Sequence, residues 1–294
     1  MVVGVELQIM EWVQALYHLG GHWIDFFFLC FTFLGEETFL LVGVLGIYWC
    51  WNKRLGEELL LSLLLSLAIN GLIKDVVRRP RPFLTPGFED RRYLVVQNGL
   101  VDTAGVRKSF SFPSGHSQAA GAFFGTLAFW QRGRKQAVSY LLVVLLVMLS
   151  RVYLGVHFPS DVLIGGFLGL ASAWISHMLL RRFGHHKFWI FSGAIGIACL
   201  GLFFCPSPDT IKIAGTALGG MLGLWWESKV DFSTQGSFLQ RLLRLILGVV
   251  VVMATRFGLK FLLPEADLFD GLRYTCIGLV AVGFWPWIFT RLRL

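Results

Sequence analysis

Two histidines, an aspartate and several cations fall into three short clusters of an otherwise oily chain. The first runs Lys74-Asp75-Val76-Val77-Arg78-Arg79-Pro80-Arg81-Pro82, and the second is Pro113-Ser114-Gly115-His116. The third is Ser150-Arg151, followed by His157 and Asp161. These residue types suit cleavage of a phosphate ester, whose equatorial oxygens need cations and backbone donors in fixed geometry. Lys74, Arg81 and Arg151 supply the cations, and an arginine fork matches phosphate oxygens bidentately. Ser114-Gly115 opens an apolar segment, so backbone N–H groups there can meet an anion at a helix N-terminus. Gly115 lets that backbone approach closely.

A nucleophile is needed too, and no thiol lies near the clusters. His157 and His116 are both candidates, because neutral imidazole is nucleophilic and imidazolium is a general acid. Asp161 follows His157 by four residues, beyond Pro159, where the first turn of a helix fits. From there its carboxylate can accept a ring N–H of His157, fix the tautomer and stabilise charge on the ring. His116 would then protonate the leaving alcohol and later activate water. Residue types alone leave open which histidine is attacked.

Composition places this chemistry at a membrane. Of 294 residues, 55% are hydrophobic and 15% charged, against about 25% charged in soluble domains. That predicts a polytopic membrane protein. The basic excess, 26 Lys and Arg over 18 Asp and Glu, sits largely in short loops and around the clusters, which argues against nucleic acid as a partner. Cys30, Cys50, Cys199, Cys205 and Cys276 lie in or beside apolar runs without paired spacing, and read as packed thiols with no disulfide framework or metal site. No Lys or Arg precedes Lys53, so a secretory signal is not expected.

The apolar runs predict an all-α transmembrane helical bundle of about nine spans, near 37–51, 57–77, 114–131, 137–156, 161–180, 188–205, 211–226, 245–263 and 272–290. Residues 1–34 are expected to form an N-terminal interfacial segment, amphipathic over 1–20, with 23–34 lying in the interface. Residues 35–182 are the expected catalytic core and 183–294 a C-terminal transmembrane extension. With this alternation the three clusters emerge at one membrane face. Lys and Arg in the alternate loops put that face outside, the N-terminus outside and the C-terminus inside. The loop 75–112 dissents, carrying Arg78, Arg79, Arg81, Arg91, Arg92, Arg107 and Lys108; an anion-binding role for some of these explains the exception. Small residues at Gly165 to Gly169, Gly219 to Gly223 and Ala119-Ala120-Gly121 predict close helix packing. Arg256 falls inside the eighth span, where an arginine is costly unless it is paired, lines a cavity or snorkels to an interface.

The clusters resemble the signature of the type 2 phosphatidic acid phosphatase superfamily, K-x6-R-P, P-S-G-H and S-R-x5-H-x3-D. It is complete here as Lys74…Arg81-Pro82, Pro113-Ser114-Gly115-His116 and Ser150-Arg151…His157…Asp161. The resemblance covers residues 35–180. It implies a mechanism without metal or other cofactor, through a phosphohistidine on His157, with Asp161 assisting and His116 as general acid. It also implies phosphate contacts from Lys74, Arg81, Ser114, Gly115 and Arg151. The implied substrate is a phosphate monoester or diphosphate of an amphiphilic membrane lipid. Beyond residue 180 only the layout is similar, and it looks like that of glucose-6-phosphatases and sphingosine-1-phosphate phosphatases. Phe83, Leu84, Phe88, Tyr93 and Leu94 make the loop 83–112 apolar, which favours a lipid over a sugar phosphate. A transporter or binding protein for lipid phosphates is the alternative of another class, although binding alone has no need of the His157–Asp161 pair. For the last three spans, contacts of a homodimer, a substrate groove and simple stabilisation all stay open.

Overall fold

The computed structural model describes residues 2–85, 109–204 and 207–294. Cys205 and the loop residues Phe88, Arg91, Arg92, Tyr93, Leu94, Arg107 and Lys108 lie outside the described residues. Among those described, the regular elements are all helices. In chain order they are α1 (Val2–Gln14), α2 (Tyr17–Gly20), α3 (His22–Leu34), α4 (Glu37–Cys50), α5 (Lys53–Val77), α6 (Gly115–Trp130), α7 (Arg134–Tyr153), α8 (Pro159–Phe183), α9 (Lys187–Phe204), α10 (Pro208–Val230), α11 (Phe238–Leu262), α12 (Asp267–Leu279) and α13 (Trp285–Arg291).

Each expected span falls on a helix, but fewer helices suffice to cross a membrane. Five stretches are long and apolar enough, and a sixth counts if α3 and α4 form one broken span. The expected count of about nine is not reached by this criterion. Length is one reason: α6 has 16 residues, about 24 Å at 1.5 Å per residue, against a hydrocarbon core of about 30 Å. The stretch 23–34, expected to lie in the interface, is within α3 and belongs to that sixth candidate. Cys30, Cys50, Cys199 and Cys276 carry free thiols, and Cys30 and Cys199 are exposed on helix faces rather than packed.

The helices gather into two compact units, Met1–Leu40 with Ile73–Trp174, and Leu41–Leu72 with Ile175–Leu294. In the first unit α7 is the central post, with α1, α3 and α6 against it. On α1, Glu6, Met10 and Gln14 recur every four residues and are buried, while Val5, Ile9 and Trp12 are exposed. The polar stripe of this helix therefore points inward, and Gln14 Nε2–H donates to the Tyr153 carbonyl at 2.9 Å. Phe28 of α3 stacks on Tyr153 with ring centres 4.2 Å apart. α6 meets α8 backbone to backbone: a Cβ on Gly165 would lie 2.6 Å from the Ser114 carbonyl oxygen. Glycine is required there for that approach.

The second unit is held by a large aromatic and aliphatic core that includes Trp49, Phe191, Trp285 and Phe289. The indole N–H groups of Trp49 and Trp285 donate to the carbonyls of Ala281 (3.0 Å) and Arg244 (3.1 Å), so neither ring buries an unpaired donor. α10 and α11 each open with a capping box, Ser207 with Thr210 and Ser237 with Gln240.

Candidate active site

All eight residues singled out from the sequence lie in the first unit, at helix ends and the turns beside them. Lys74 sits in the last turn of α5. Ser114 is the N-cap of α6, its hydroxyl accepting from the Ser117 N–H, and Gly115 and His116 head the helix. The first N–H groups of a helix have no carbonyl partner within it. Arg151 lies in the last turn of α7. Gly155, at φ 69°, ends that helix in the left-handed region and turns the chain toward His157. Asp161 follows in the first turn of α8, which Pro159 starts.

Asp161 is the hub of this arrangement. Its carboxylate is fully buried and accepts from the Phe158 N–H (2.8 Å), from the Ser111 hydroxyl and from Arg79 Nη1 (2.7 Å). Its backbone carbonyl accepts from the Ser114 N–H at 3.0 Å, tying the second cluster to the third. The expected contact with His157 is looser. Nδ1 lies 3.7 Å from the carboxylate, beyond hydrogen-bond reach. Instead Nδ1–H donates to the backbone carbonyl of Ser111 at 2.8 Å. A nearer carbonyl accepts the ring N–H, and Ser111 links Asp161 to the ring.

Three cations surround His157. Arg81 is buried, donates to the carbonyls of Ser109 and Val156, and points Nη1 at His157 Nε2, 3.2 Å away. Arg151 is buried as well. One of its terminal nitrogens reaches Thr32 Oγ1 at 3.5 Å, but its Nε–H has no partner among the described residues. Burial first, then the charges of Arg81, Arg151 and Lys74, push the proton affinity of His157 well below its ordinary value. The ring is neutral at physiological pH. His116 Nε2 lies 3.0 Å from Glu36 Oε1, and both side chains are partly open to solvent.

Four participants were not found from the sequence. Ser111, Glu36, Arg79 and Glu6 reach the site through contacts spanning 50 to 154 residues of chain. Arg79 bridges Asp161 and Glu6 (2.5 Å to Glu6 Oε2), while its guanidinium covers the Phe158 ring at 3.9 Å. Glu6 also accepts from the Ser160 N–H at 3.2 Å. Arg79 carried a hint, standing inside the first cluster; isolated Glu6 and Ser111 carried none.

Comparison with known proteins finds similarity to one superfamily. The PAP2 superfamily profile matches residues 57–185, and its transmembrane extension, described as that of a PAP2 superfamily phosphatase, matches residues 211–294. The chain is 26% identical over 295 aligned positions to a probable sphingosine-1-phosphate phosphatase of Dictyostelium discoideum, covering 91% of this chain and 68% of that one. It is 30% identical to phosphatidylglycerophosphatase B of Bacillus subtilis, over 50% of this chain and 71% of that one. Among solved structures, Aquifex aeolicus LpxE aligns with a TM-score of 0.47 and 22% identity, covering 58% of this chain and 94% of that one. The profile covers all three clusters, and a relative at this identity is matched over most of its length: the chain belongs to the PAP2 superfamily.

Proposed function

We propose that this integral membrane protein removes the terminal phosphate of a lipid without a metal ion, using His157 Nε2 as nucleophile. The observation that carries the reading is the Nδ1–H bond to the Ser111 carbonyl. It leaves the lone pair of a neutral ring on Nε2, the nitrogen facing the cations. In the first step that lone pair attacks phosphorus, a P–N bond forms, and the bond to the lipid oxygen breaks. His116 gives the departing oxygen its proton. In the second step His116 takes a proton from water, whose oxygen attacks phosphorus and breaks the P–N bond, releasing inorganic phosphate. Glu36, at 3.0 Å, is placed to exchange protons with that ring.

Arg151, Lys74 and Arg81 supply positive charge for the phosphoryl oxygens, and the head of α6 supplies backbone N–H groups through Gly115. The buried unpaired Nε–H of Arg151 supports this, because a charged donor left without an acceptor is costly. Ser114 adds its hydroxyl as a donor to the phosphate, while its N–H is held by the Asp161 carbonyl and its hydroxyl oxygen accepts from Ser117. No group of three His, Cys, Asp or Glu able to hold a metal occurs among the described residues. The cationic surroundings suit an anion.

The relatives are named for phosphates or diphosphates of sphingoid bases, phosphatidylglycerol, undecaprenol and lipid A. Their shared chemistry is a phosphate at the end of a long apolar chain. Here Phe83 packs with Phe28 and Tyr153 next to Arg81, and Leu84 is exposed, so apolar surface adjoins the phosphate cations. The loop charges favour an active site on the external face. The test is phosphate release by detergent-purified protein in EDTA, across lipid phosphates, polyprenyl diphosphates and sugar phosphates. Turnover of a lipid substrate is expected, falling by about 10⁴-fold or more in His157→Ala. Dependence on added magnesium, or activity surviving in that variant, overturns the mechanism. Turnover of glucose 6-phosphate alone overturns the lipid assignment.

A further inference from the structure

Arg256, the arginine inside an apolar helix, has no part in the chemistry above. It lies on α11 and lines a cavity of about 440 Å³ within the second unit, formed with the first turns of α10 and the start of α12. That volume is in the range of small-ligand sites, roughly 300–1,000 Å³. Four cations reach the cavity: Lys212, Arg256, Lys260 and Arg273. Carboxylates line it as well, but they do not neutralise the cations one for one. Asp270 accepts from Arg273 Nη1, and Lys212 lies 3.8 Å from Asp209, outside the lining. Glu265 and Asp267 line the wall, yet Arg256 and Lys260 pair with no carboxylate among the described residues.

Arg273 gives the cavity its chemistry. Its side chain is 9% exposed, yet its Nε–H and Nη2–H groups have no partner among the described residues. Buried charged donors in that state call for an acceptor. Nε and Nη2 form the edge of a guanidinium that grips two oxygens of one phosphate side by side. Beside the cations stands an apolar wall: Phe257 lines the cavity and is 64% exposed, and Phe261 and Leu262 continue the surface and are more exposed still.

We propose that this cavity binds the anionic, phosphate-bearing headgroup of a membrane lipid. Arg273 holds the phosphate from the buried side and Arg256 and Lys260 hold it from the rim, with the acyl chains along Phe257 and Phe261. A free phosphate ion offers the same oxygens but has no use for the apolar wall. The role also accounts for Arg256 at this depth, since an arginine in a span is tolerated where it lines a polar cavity.

The test is native mass spectrometry of the full-length protein released from detergent, with phosphatidylglycerol, phosphatidylcholine or inorganic phosphate added. Phosphatidylglycerol is a phosphodiester, so a phosphomonoesterase leaves it intact. The wild type is expected to retain phosphatidylglycerol in preference to phosphatidylcholine. Changing the rim pair together, Arg256→Gln with Lys260→Gln, should lower that affinity by about tenfold or more, with elution volume and melting temperature in lipid-free detergent unchanged. Arg273→Gln should abolish the preference. Equal retention of the two lipids, or unchanged retention in the rim variant, overturns the proposal. Displacement of the lipid by an equal concentration of inorganic phosphate overturns the lipid assignment in favour of the free ion.

Discussion

Asp161 in the first unit and Glu227 in the second are both carboxylates at 0% exposure, and each meets a cation. Their surroundings differ. Asp161 spends its oxygens on Arg79, Ser111 and the Phe158 N–H, and so fixes the groups around His157. Arg81, Arg151 and Lys74 remain as positive charge around a neutral ring, and one donor of Arg151 is still unpaired. Glu227 meets Lys53 at 2.5 Å, and Lys53 reaches on to Asp231 at 3.0 Å. Nearby pairs are closed in the same way: Lys187 with Glu57 at 2.6 Å and His177 with Glu58 at 2.9 Å. The first cluster gathers cations around a neutral ring, whereas the second sets its cations directly against its own carboxylates. On the proposed mechanism, similar burial serves reaction in one unit and cohesion in the other.

Substituting each hub separates the two purposes. Asp161→Asn keeps an oxygen for Ser111 but loses the charge that meets Arg79. Phosphate release should fall by about 10²–10⁴-fold, with protein yield and elution volume close to wild type. Activity within a few-fold of wild type would show that Ser111 alone orients His157. Glu227→Ala should do the reverse. Removing one partner of a buried pair costs about 3–5 kcal/mol, and the partial exposure of Lys53 puts the loss near the lower figure. Thermal unfolding in detergent should begin several degrees lower, while turnover per folded molecule, measured well below that temperature, stays the same. A matching loss of turnover would mean that the second cluster also serves catalysis.

These outcomes bear on what the sequence made legible. The helices could be read because apolar runs of span length admit few other structures in lipid. The eight candidate residues could be singled out because three short clusters fall at the ends of such runs, where chemistry-bearing types are otherwise scarce. The remaining contacts had no such mark. Ser111 is one serine at the end of a long loop, Glu6 one acid on a short helix, and Glu36 one acid between two apolar stretches. Each acquires a role only when chain segments far apart meet. The direct His157–Asp161 bond was expected from a spacing of four, yet Ser111 supplies a closer carbonyl from another segment. Spacing gives proximity along the chain, and tertiary packing decides which acceptor wins. The count of about nine spans is not confirmed by length and composition for a related reason: α6 is apolar but has 16 residues, and α8 and α9 count together as one stretch.

The contact at the edge of the network makes a smaller test. Glu6 is linked to His157 through Arg79, Asp161 and Ser111. Glu6→Gln keeps hydrogen-bonding capacity toward Ser160 and removes the second anion from Arg79. A loss of about tenfold or less in kcat, with KM little changed, is expected of a positioning residue. A rise in KM with kcat unchanged would instead place α1 on the path of the substrate.

The mildest expected effect comes from pH, and it reports on the cation surplus itself. In the native protein His157 takes up its proton only well below its ordinary value, because burial and the neighbouring cations oppose the charged ring. In the unfolded chain it takes up a proton near pH 6.5. Between those two pH values the unfolded state binds one more proton. Stability contributed by this group is therefore fully present above about pH 6.5 and is lost as pH falls, by at most about 1.4 kcal/mol per pH unit. The melting temperature should decline below that pH, and less steeply in His157→Ala. Activity follows the same group from the other side. In the proposed mechanism the neutral ring is the nucleophile, so kcat/KM should hold as pH drops through 6.5 and fail only at more acid values. Arg81→Gln removes one charge that opposes protonation, and should move this acid limb upward in pH as well as lowering its height. The second unit offers a control, since Lys187 is not among the charges that act on His157. Lys187→Gln should leave the limb where it is. A limb that stays fixed in Arg81→Gln, or moves in Lys187→Gln, would mean that the proton being titrated belongs to another group.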